Sequence, residues 1–185
     1  MKCIKVLTDK DFGLTNLPME NPQNRLGARG IIFNKCNNKI AILHKQAKNE
    51  FKLIGGGLEE NENPNDAFIR EALEETGCVI EIDDCLGTIE EYKSLDNFHQ
   101  TSYVFVAHVV NDTHKTNYTK QELEEGSALL WLDINDALMY IKECEDKLIP
   151  YPHDKKLSLY HTKFIVRRDY EILKFYKKKC HKGTA

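Results

Sequence analysis

Stretches in which apolar and polar residues alternate recur along the chain, and they are rich in β-branched and aromatic side chains. A period of two places every second side chain on one face of an extended strand. The turn signal Lys-Cys-Asn-Asn at 35–38 separates two such stretches and is typical of a strand–turn–strand unit. The pattern predicts strands at residues 28–34, 39–46, 51–57, 78–82, 86–94, 102–110 and 128–134.

Three segments carry signals of helices instead. Asn63 followed by Pro64 is typical of a helix N-terminus, and Gly77 is typical of the matching end. Further helices are predicted at 135–142 and at about 157–179, the latter with an apolar stripe that we assign to core packing. Because strands outnumber helices, we expect an α+β protein whose mixed or antiparallel sheet has helices packed on its faces.

The 185 residues suit one domain spanning 1–185, since no repeat, low-complexity tract or linker divides them. The polar entry segment before residue 29 includes residues 17–27, where prolines, asparagines and a glycine mark irregular chain. No apolar run approaches the roughly 20 residues that a membrane span needs, and the N-terminus is too polar for a signal peptide. We therefore expect a cytoplasmic protein that does not associate with membranes.

Charge and cysteine usage exclude several classes of function. A formal net charge of -3 argues against a general nucleic-acid binder, and the basic C-terminal run is assigned to a solvated helix end. The six cysteines contain no C-x-x-C pair, so they indicate neither a zinc site nor a disulfide framework. We expect them to be free, buried thiols.

Residues 55–78, GGGLEENENPNDAFIREALEETGC, carry seven carboxylates and one arginine. In the helix predicted there, steps of about 100° per residue bring Glu71, Glu74 and Glu75 into one arc. Neighbouring like charges destabilise a helix unless cations or a bound metal offset them, although a solvated acidic face is the alternative. The opposite face, which we expect to be buried, consists of Phe68, Ile69, Ala72, Leu73 and Thr76.

Three glycines precede this helix, and their carbonyl groups can reach a hard cation of the kind that oxygen ligands favour, Mg²⁺ or Mn²⁺. With Gly56, Glu62 and the run 70–78 at their spacings, residues 56–78 resemble the Nudix box, the signature of the Nudix hydrolases. Every polar and glycine position of that signature matches. The departures are smaller residues at two aliphatic positions and two changed loop residues: Ala72, Cys78, Asn61 and Ile54.

The resemblance extends from about residue 29 to residue 138. It implies the Nudix fold, an α/β/α sandwich around a mixed β-sheet, with variable segments at 1–28 and in the C-terminal helix. It also implies divalent-metal-assisted cleavage of a diphosphate linkage by water. The site residues that it implies are the metal-binding acids Glu71, Glu74 and Glu75, the carbonyl of Gly55 as a further ligand, Arg70 orienting a glutamate, and Glu62 supporting the loop or an outer metal.

Members of the family often supply another acid from a loop ahead of a strand that ends in tryptophan. Here the loop is 120–126 and the tryptophan is Trp131. Glu125 is the preferred candidate for metal ligand or general base, with Glu122 second. A solvated acidic loop is the alternative, and the identity of the base stays open.

Substrate recognition lies outside the box, in segments that differ among members. Four aromatic or imidazole side chains are candidates for stacking on a nucleotide base, with core packing as the alternative: Phe51, Phe98, His99 and Tyr103.

The resulting hypothesis is a Mg²⁺- or Mn²⁺-dependent hydrolase acting on a nucleoside triphosphate, ADP-ribose or a nucleotide sugar. Presence of every box glutamate favours it over a non-catalytic Nudix-fold module that binds a nucleotide or a protein partner. A messenger-RNA-processing member is less favoured, because the chain is acidic overall. The particular nucleotide and the oligomeric state, including a homo-oligomer, stay open.

Overall fold

A mixed β-sheet forms the centre of the computed structural model, which describes residues 1–150 and 158–182. In those residues the sheet has eight strands: β1 (Cys3–Thr8), β2 (Gln23–Asn34), β3 (Lys39–Lys45), β4 (Glu50–Lys52), β5 (Ile54–Gly57), β6 (Cys78–Lys93), β7 (Phe98–Asp112) and β8 (Ser127–Leu132). The strand order is β1-β6-β7-β2-β3-β4, with β5 paired to β2 and β8 paired to β3.

Parallel and antiparallel pairs coexist in this sheet. β2 runs parallel to β7 from Gln23 opposite Phe98 to Phe33 opposite His108. β1 is parallel to β6 at one edge, whereas β6 and β7 form a long antiparallel pair. The mixed sheet expected from the sequence is therefore confirmed.

Helices are α1 (Pro64–Thr76), α2 (Lys120–Glu124), α3 (Ile134–Cys144) and α4 (Ser158–Lys182). At the start of α1 the side chain of Asn63 accepts hydrogen bonds from two backbone N–H groups, each at 3.0 Å. At its end Gly77 takes the left-handed conformation, φ 71°, which glycine adopts without strain. The predicted bounds of α1 are thus confirmed. The first residue of the predicted last helix, Leu157, lies outside the described residues.

The helices cover both faces of the sheet. α1 packs on one face against a cluster that includes Ile32, Leu43 and Phe105. α3 and α4 pack on the other face, around a cluster that includes Ile31, Ile42 and Val104. This arrangement confirms the α/β/α sandwich.

Three predictions about the strands were wrong. Residues 17–27, expected to be irregular, include the first residues of β2, which begins at Gln23. The single strand predicted at 51–57 is two strands, β4 paired with β3 and β5 paired with β2. The strands predicted at 78–82 and 86–94 are one strand, β6, with irregular pairing to β7 between them. These differences come from pairing between strands, which local alternation does not encode.

The predicted buried face of α1 is confirmed for Phe68, Ala72 and Thr76 but is wrong for Ile69 and Leu73. Ile69 and Leu73 are 39% and 42% exposed, whereas Glu75 is 3% exposed. The helix is rotated because Glu75 has buried partners on β4 and β5. Leu73 is therefore not a core residue.

The six cysteines are free, as expected, but only Cys78 and Cys144 are buried. In the described ranges, no helix combines the length and the apolar composition that a membrane crossing requires.

Candidate active site

The three glycines, expected to form a turn, lie in strand β5, and without side chains they let α1 approach its backbone closely. A Cβ atom on Gly56 would collide with the carboxylate of Glu71. Gly55 has φ 137°, a conformation that other residues rarely adopt, and it lies opposite Arg29 in the pairing of β2 with β5. The glycines therefore bring a helix carboxylate against the main chain.

Arg70 links the acids of this region. It donates to both oxygens of Glu62, at 2.9 and 3.0 Å, so the bidentate ion pair expected of Arg70 is formed with this residue. Its Nη1 donates to Glu71 at 2.9 Å and to Glu74 at 3.1 Å. The hydrogen bond from Arg70 lowers the pKa of Glu62. Arg70 thus orients three carboxylates.

Glu75 is held from two sides. Its Oε1 lies 2.8 Å from Lys52 Nζ, and its Oε2 accepts the Gly55 N–H at 2.9 Å. Lys52 Nζ also donates to the Gly55 carbonyl at 3.2 Å. Lys52 therefore fixes two of the expected metal ligands, a role that the sequence analysis missed. The available signal was a lysine within the predicted strand 51–57.

The acids that face these glycines repel one another. Burial raises the pKa of Glu71, and the charge of nearby Glu75 raises it further. Glu74 is more open, with 37% of its side chain exposed. A cation in this region would relieve the repulsion, because it would favour the charged form of both buried acids.

The donor atoms are of the chemical type that a hard divalent cation prefers. They are carboxylate oxygens of α1 and the carbonyl of Gly55, and oxygen donors suit Mg²⁺ and Mn²⁺. Within the described residues, no three His, Cys, Asp or Glu side chains already form a metal-binding group. The acids are bonded to Arg70 and Lys52 instead. Binding a metal would therefore require rearrangement of these ion pairs.

The two acids of segment 120–126 occupy different places. Glu125 is fully buried and forms salt bridges of 2.7 Å with Lys45 and with Lys48. Burial opposes its ionisation, but hydrogen bonds from Lys45, Lys48 and Gln121 prevail and lower its pKa to about 2. The structure does not bring Glu125 to the cleft beside the box acids. Glu122 lines that cleft, on α2.

The cleft has a volume of about 610 Å³, with acidic and basic walls. Glu71, Glu74 and Glu75 line the acidic side. Of the four candidate stacking residues, Phe98 lines the cleft, whereas His99 is bonded to Asn24 and Glu90. Tyr103 packs on the α1 side, and Phe51 stacks on His44. The basic side, which sequence analysis missed, includes Arg25, Arg29, Lys93 and Arg168, with His161 and Ile165 beside them.

An α/β/α sandwich with a glycine-rich strand against a glutamate-rich helix defines the class as a Nudix domain, and comparison with known proteins gives the same result. The family profile described as NUDIX domain matches residues 24–152. The "Uncharacterized Nudix hydrolase YvcI" of Bacillus subtilis is 30% identical over 141 residues, covering 76% of this chain and 87% of YvcI. The chain belongs to the Nudix family.

More distant relatives agree with this assignment. The human "Nucleoside diphosphate-linked moiety X motif 6" is 24% identical over 115 residues, 61% of this chain. The matched region spans 35% of that protein and 36% of its mouse counterpart. The solved structure of a NUDIX hydrolase from Nitrosomonas europaea has the same fold, with TM-score 0.54 and 16% identity over 80% of this chain and 88% of that one.

Proposed function

We propose that the chain is a divalent-metal-dependent hydrolase that cleaves the diphosphate linkage of a nucleoside diphosphate derivative. The observation that carries the proposal is the convergence of Glu71, Glu74, Glu75 and the Gly55 carbonyl at one end of a cleft. Oxygen donors beside a cleft of about 610 Å³ suit a small anionic substrate bound through a cation. YvcI, with 30% identity, carries the name Nudix hydrolase.

Mg²⁺ or Mn²⁺ held by these four residues would stabilise the negative charge that develops on the phosphate oxygens. Arg70 orients Glu71 and Glu74 toward the glycines of β5, and its pair with Glu62 fixes the preceding loop. Lys52 positions Glu75 and the Gly55 carbonyl. These contacts keep the donors close together, and a bound cation would replace part of the ion pairs with Arg70 and Lys52.

Glu122 is our proposed general base, since a base must lie within reach of the attacking water. It lines the cleft, and its Oε2 accepts hydrogen bonds from Thr119 at the start of α2, whereas both oxygens of Glu125 are paired with lysines. In this role Glu122 accepts a proton from the water as the water oxygen bonds to phosphorus. The bridging P–O bond of the diphosphate linkage breaks, and its electron pair leaves on the departing phosphate. In this proposal Glu125 accepts a hydrogen bond from Lys45, which lines the cleft, and so positions that lysine without contacting the substrate itself.

The test is a substrate panel containing nucleoside triphosphates, ADP-ribose and nucleotide sugars, scored by released phosphate or pyrophosphate. We expect hydrolysis that EDTA abolishes and that Mg²⁺ or Mn²⁺ restores. Zn²⁺ should be a poor substitute, because the proposed ligands are all oxygens. Full turnover in excess chelator would contradict metal dependence. Tight nucleotide binding without hydrolysis of any compound would instead favour the non-catalytic binding module.

A further inference from the structure

The sheet face beneath α4 changes from apolar to charged toward the cleft. On β2 the buried Ile31 is followed on the same face by Arg29, and on β6 the buried Ile89 is followed by Glu91. From above this face α4 contributes Arg168, which is 2% exposed. Arg29 and Arg168 both line the cleft. A layer of charge is therefore buried between the sheet and the helix.

The carboxylates of this layer face buried cations, although Glu91 Oε1 accepts no hydrogen bond within the described residues. Glu91 lies 3.0 Å from Lys93 Nζ and 3.0 Å from Arg168 Nη1. Asp169 accepts a 2.8 Å hydrogen bond from Arg168 Nε and another of 2.8 Å from the Leu53 N–H. Burial opposes ionisation of Glu91, but Arg168 and Lys93 prevail and lower its pKa to about 2. Both acids are thus charged and engaged with cations.

Arg29 adds a positive charge that these acids do not pair. It is 4% exposed, and its Nε has no hydrogen-bond partner within the described residues. Within the same ranges Arg29 forms no salt bridge, so three buried cations share two buried carboxylates. Burial, followed by repulsion from Arg168, lowers the pKa of Arg29 to about 10. A buried charged donor without an acceptor is costly, which points to an anion from outside the chain.

We propose that Arg29 and Arg168, with Arg25 at the exposed end of the same strand face, bind a phosphate group that lies beyond the diphosphate held at the glutamates. A guanidinium group can donate to phosphate oxygens through several N–H groups. Among the residues that the structure describes, Arg168 has Nη2 left for this, because its Nε and Nη1 donate to Asp169 and Glu91. Arg29 lies opposite Gly55 in the sheet, so the two subsites adjoin.

This inference rests on the proposed function and selects among its substrates. The third phosphate of a nucleoside triphosphate supplies the required negative charge. The distal sugar of ADP-ribose or of a nucleotide sugar is uncharged and leaves Arg29 unpaired. A nucleoside triphosphate is therefore the substrate class that fits both halves of the cleft.

Calorimetry with inorganic tripolyphosphate in EDTA tests the subsite without hydrolysis. We expect the wild type to bind, and Arg29→Gln to weaken the affinity by about 10- to 100-fold, the loss of one charged hydrogen-bonding group. Arg167→Gln is the matched control, because Arg167 also lies on α4 but pairs with Glu145 outside the cleft. Arg25→Gln should also weaken the binding of tripolyphosphate. Because Arg25 is exposed, this variant replaces Arg29→Gln in the test if Arg29→Gln does not fold.

No binding by the wild type, or equal binding by wild type, Arg29→Gln and Arg25→Gln, would overturn the proposal. The second measurement is kcat/KM for a nucleoside triphosphate and for ADP-ribose with Mg²⁺. Arg29→Gln should lower kcat/KM for the nucleoside triphosphate by about 10- to 100-fold and kcat/KM for ADP-ribose by less than about 3-fold. An equal loss for both substrates would also overturn it. A wild type that binds tripolyphosphate but hydrolyses nothing would contradict the proposed hydrolase and leave the anion subsite standing.

Discussion

At the scale of single residues, Glu74 and Glu75 are neighbours in the chain with different surroundings. Glu75 is buried, bonded to Lys52 and to the Gly55 N–H. Glu74 has 37% of its side chain exposed and an ion pair with Arg70. Replacing Glu75 would leave a buried lysine without its carboxylate, so stability and chemistry would change together. Glu74 is the residue that separates the two effects.

We expect Glu74→Gln to lower kcat by on the order of 10²-fold or more, because it removes an anionic donor and keeps the side-chain shape. The exposed ion pair with Arg70 contributes little to stability, so Tm should shift by less than about 4 °C. Steady-state kinetics measures the change in kcat, thermal unfolding measures the change in Tm, and a binding measurement gives the nucleotide affinity. Glu124→Gln is the control, because Glu124 is exposed and pairs with Lys120 within α2. Full turnover of Glu74→Gln would remove Glu74 from the proposed ligands.

The two acids near α2 should respond in opposite ways. Glu122→Gln should lower kcat by about 10²-fold or more, as expected for loss of a general base. Glu125→Gln should reduce the free energy of unfolding by about 1.5–3 kcal/mol, because it removes charged hydrogen bonds with Lys45 and Lys48. Kinetics and urea unfolding of both variants distinguish the roles. A large loss of kcat in stable Glu125→Gln would reverse the assignment.

The stability effect of Glu125 should also depend on pH. Its pKa is lowered from 4.5 to about 2 by folding, so its contribution is full above pH 4.5 and is lost as the pH falls through about 2. The difference in unfolding free energy between wild type and Glu125→Gln should therefore narrow over that interval. Urea unfolding at several acidic pH values measures it.

At the scale of elements, α1 uses one side for both packing and chemistry. Phe68 is fully buried and stacks on Phe105, with 5.4 Å between ring centroids, whereas Leu73 is 42% exposed. Phe68→Ala should lower the free energy of unfolding by about 3–5 kcal/mol, and Leu73→Ala by less than about 1 kcal/mol. Denaturant unfolding of both variants measures these two changes in the free energy of unfolding. A large loss for Leu73→Ala alone would indicate that another surface covers this residue.

Local signals sufficed for the bounds of α1, because Asn63 caps its start and Gly77 allows the turn at its end. Its rotation depends on Lys52, a residue of another element, and could not be obtained from the helix itself. α2 was missed although a signal was present, since Thr119 and Glu122 form a capping box. The bounds of an element follow from neighbouring residues, whereas its orientation depends on distant ones.

At the scale of the whole molecule, the cleft combines regions that the sequence keeps apart. The box motif identified the acidic wall. The basic wall requires α4 to lie across the sheet, through contacts such as Asp169 with Leu53, which are 116 residues apart. No spacing rule relates those positions, so the sequence alone could not place Arg168 beside Arg29.

α4 lies beyond residues 24–152, the part of the chain that matches the family, yet it forms part of the cleft wall. A substitution at a position of α4 that lines the cleft, such as Ile165, would therefore change the surface that a substrate meets while the proposed metal ligands on α1 stay the same. A protein with identical residues 56–78 and a different residue at that position would share the chemistry of this chain and differ from it in substrate preference.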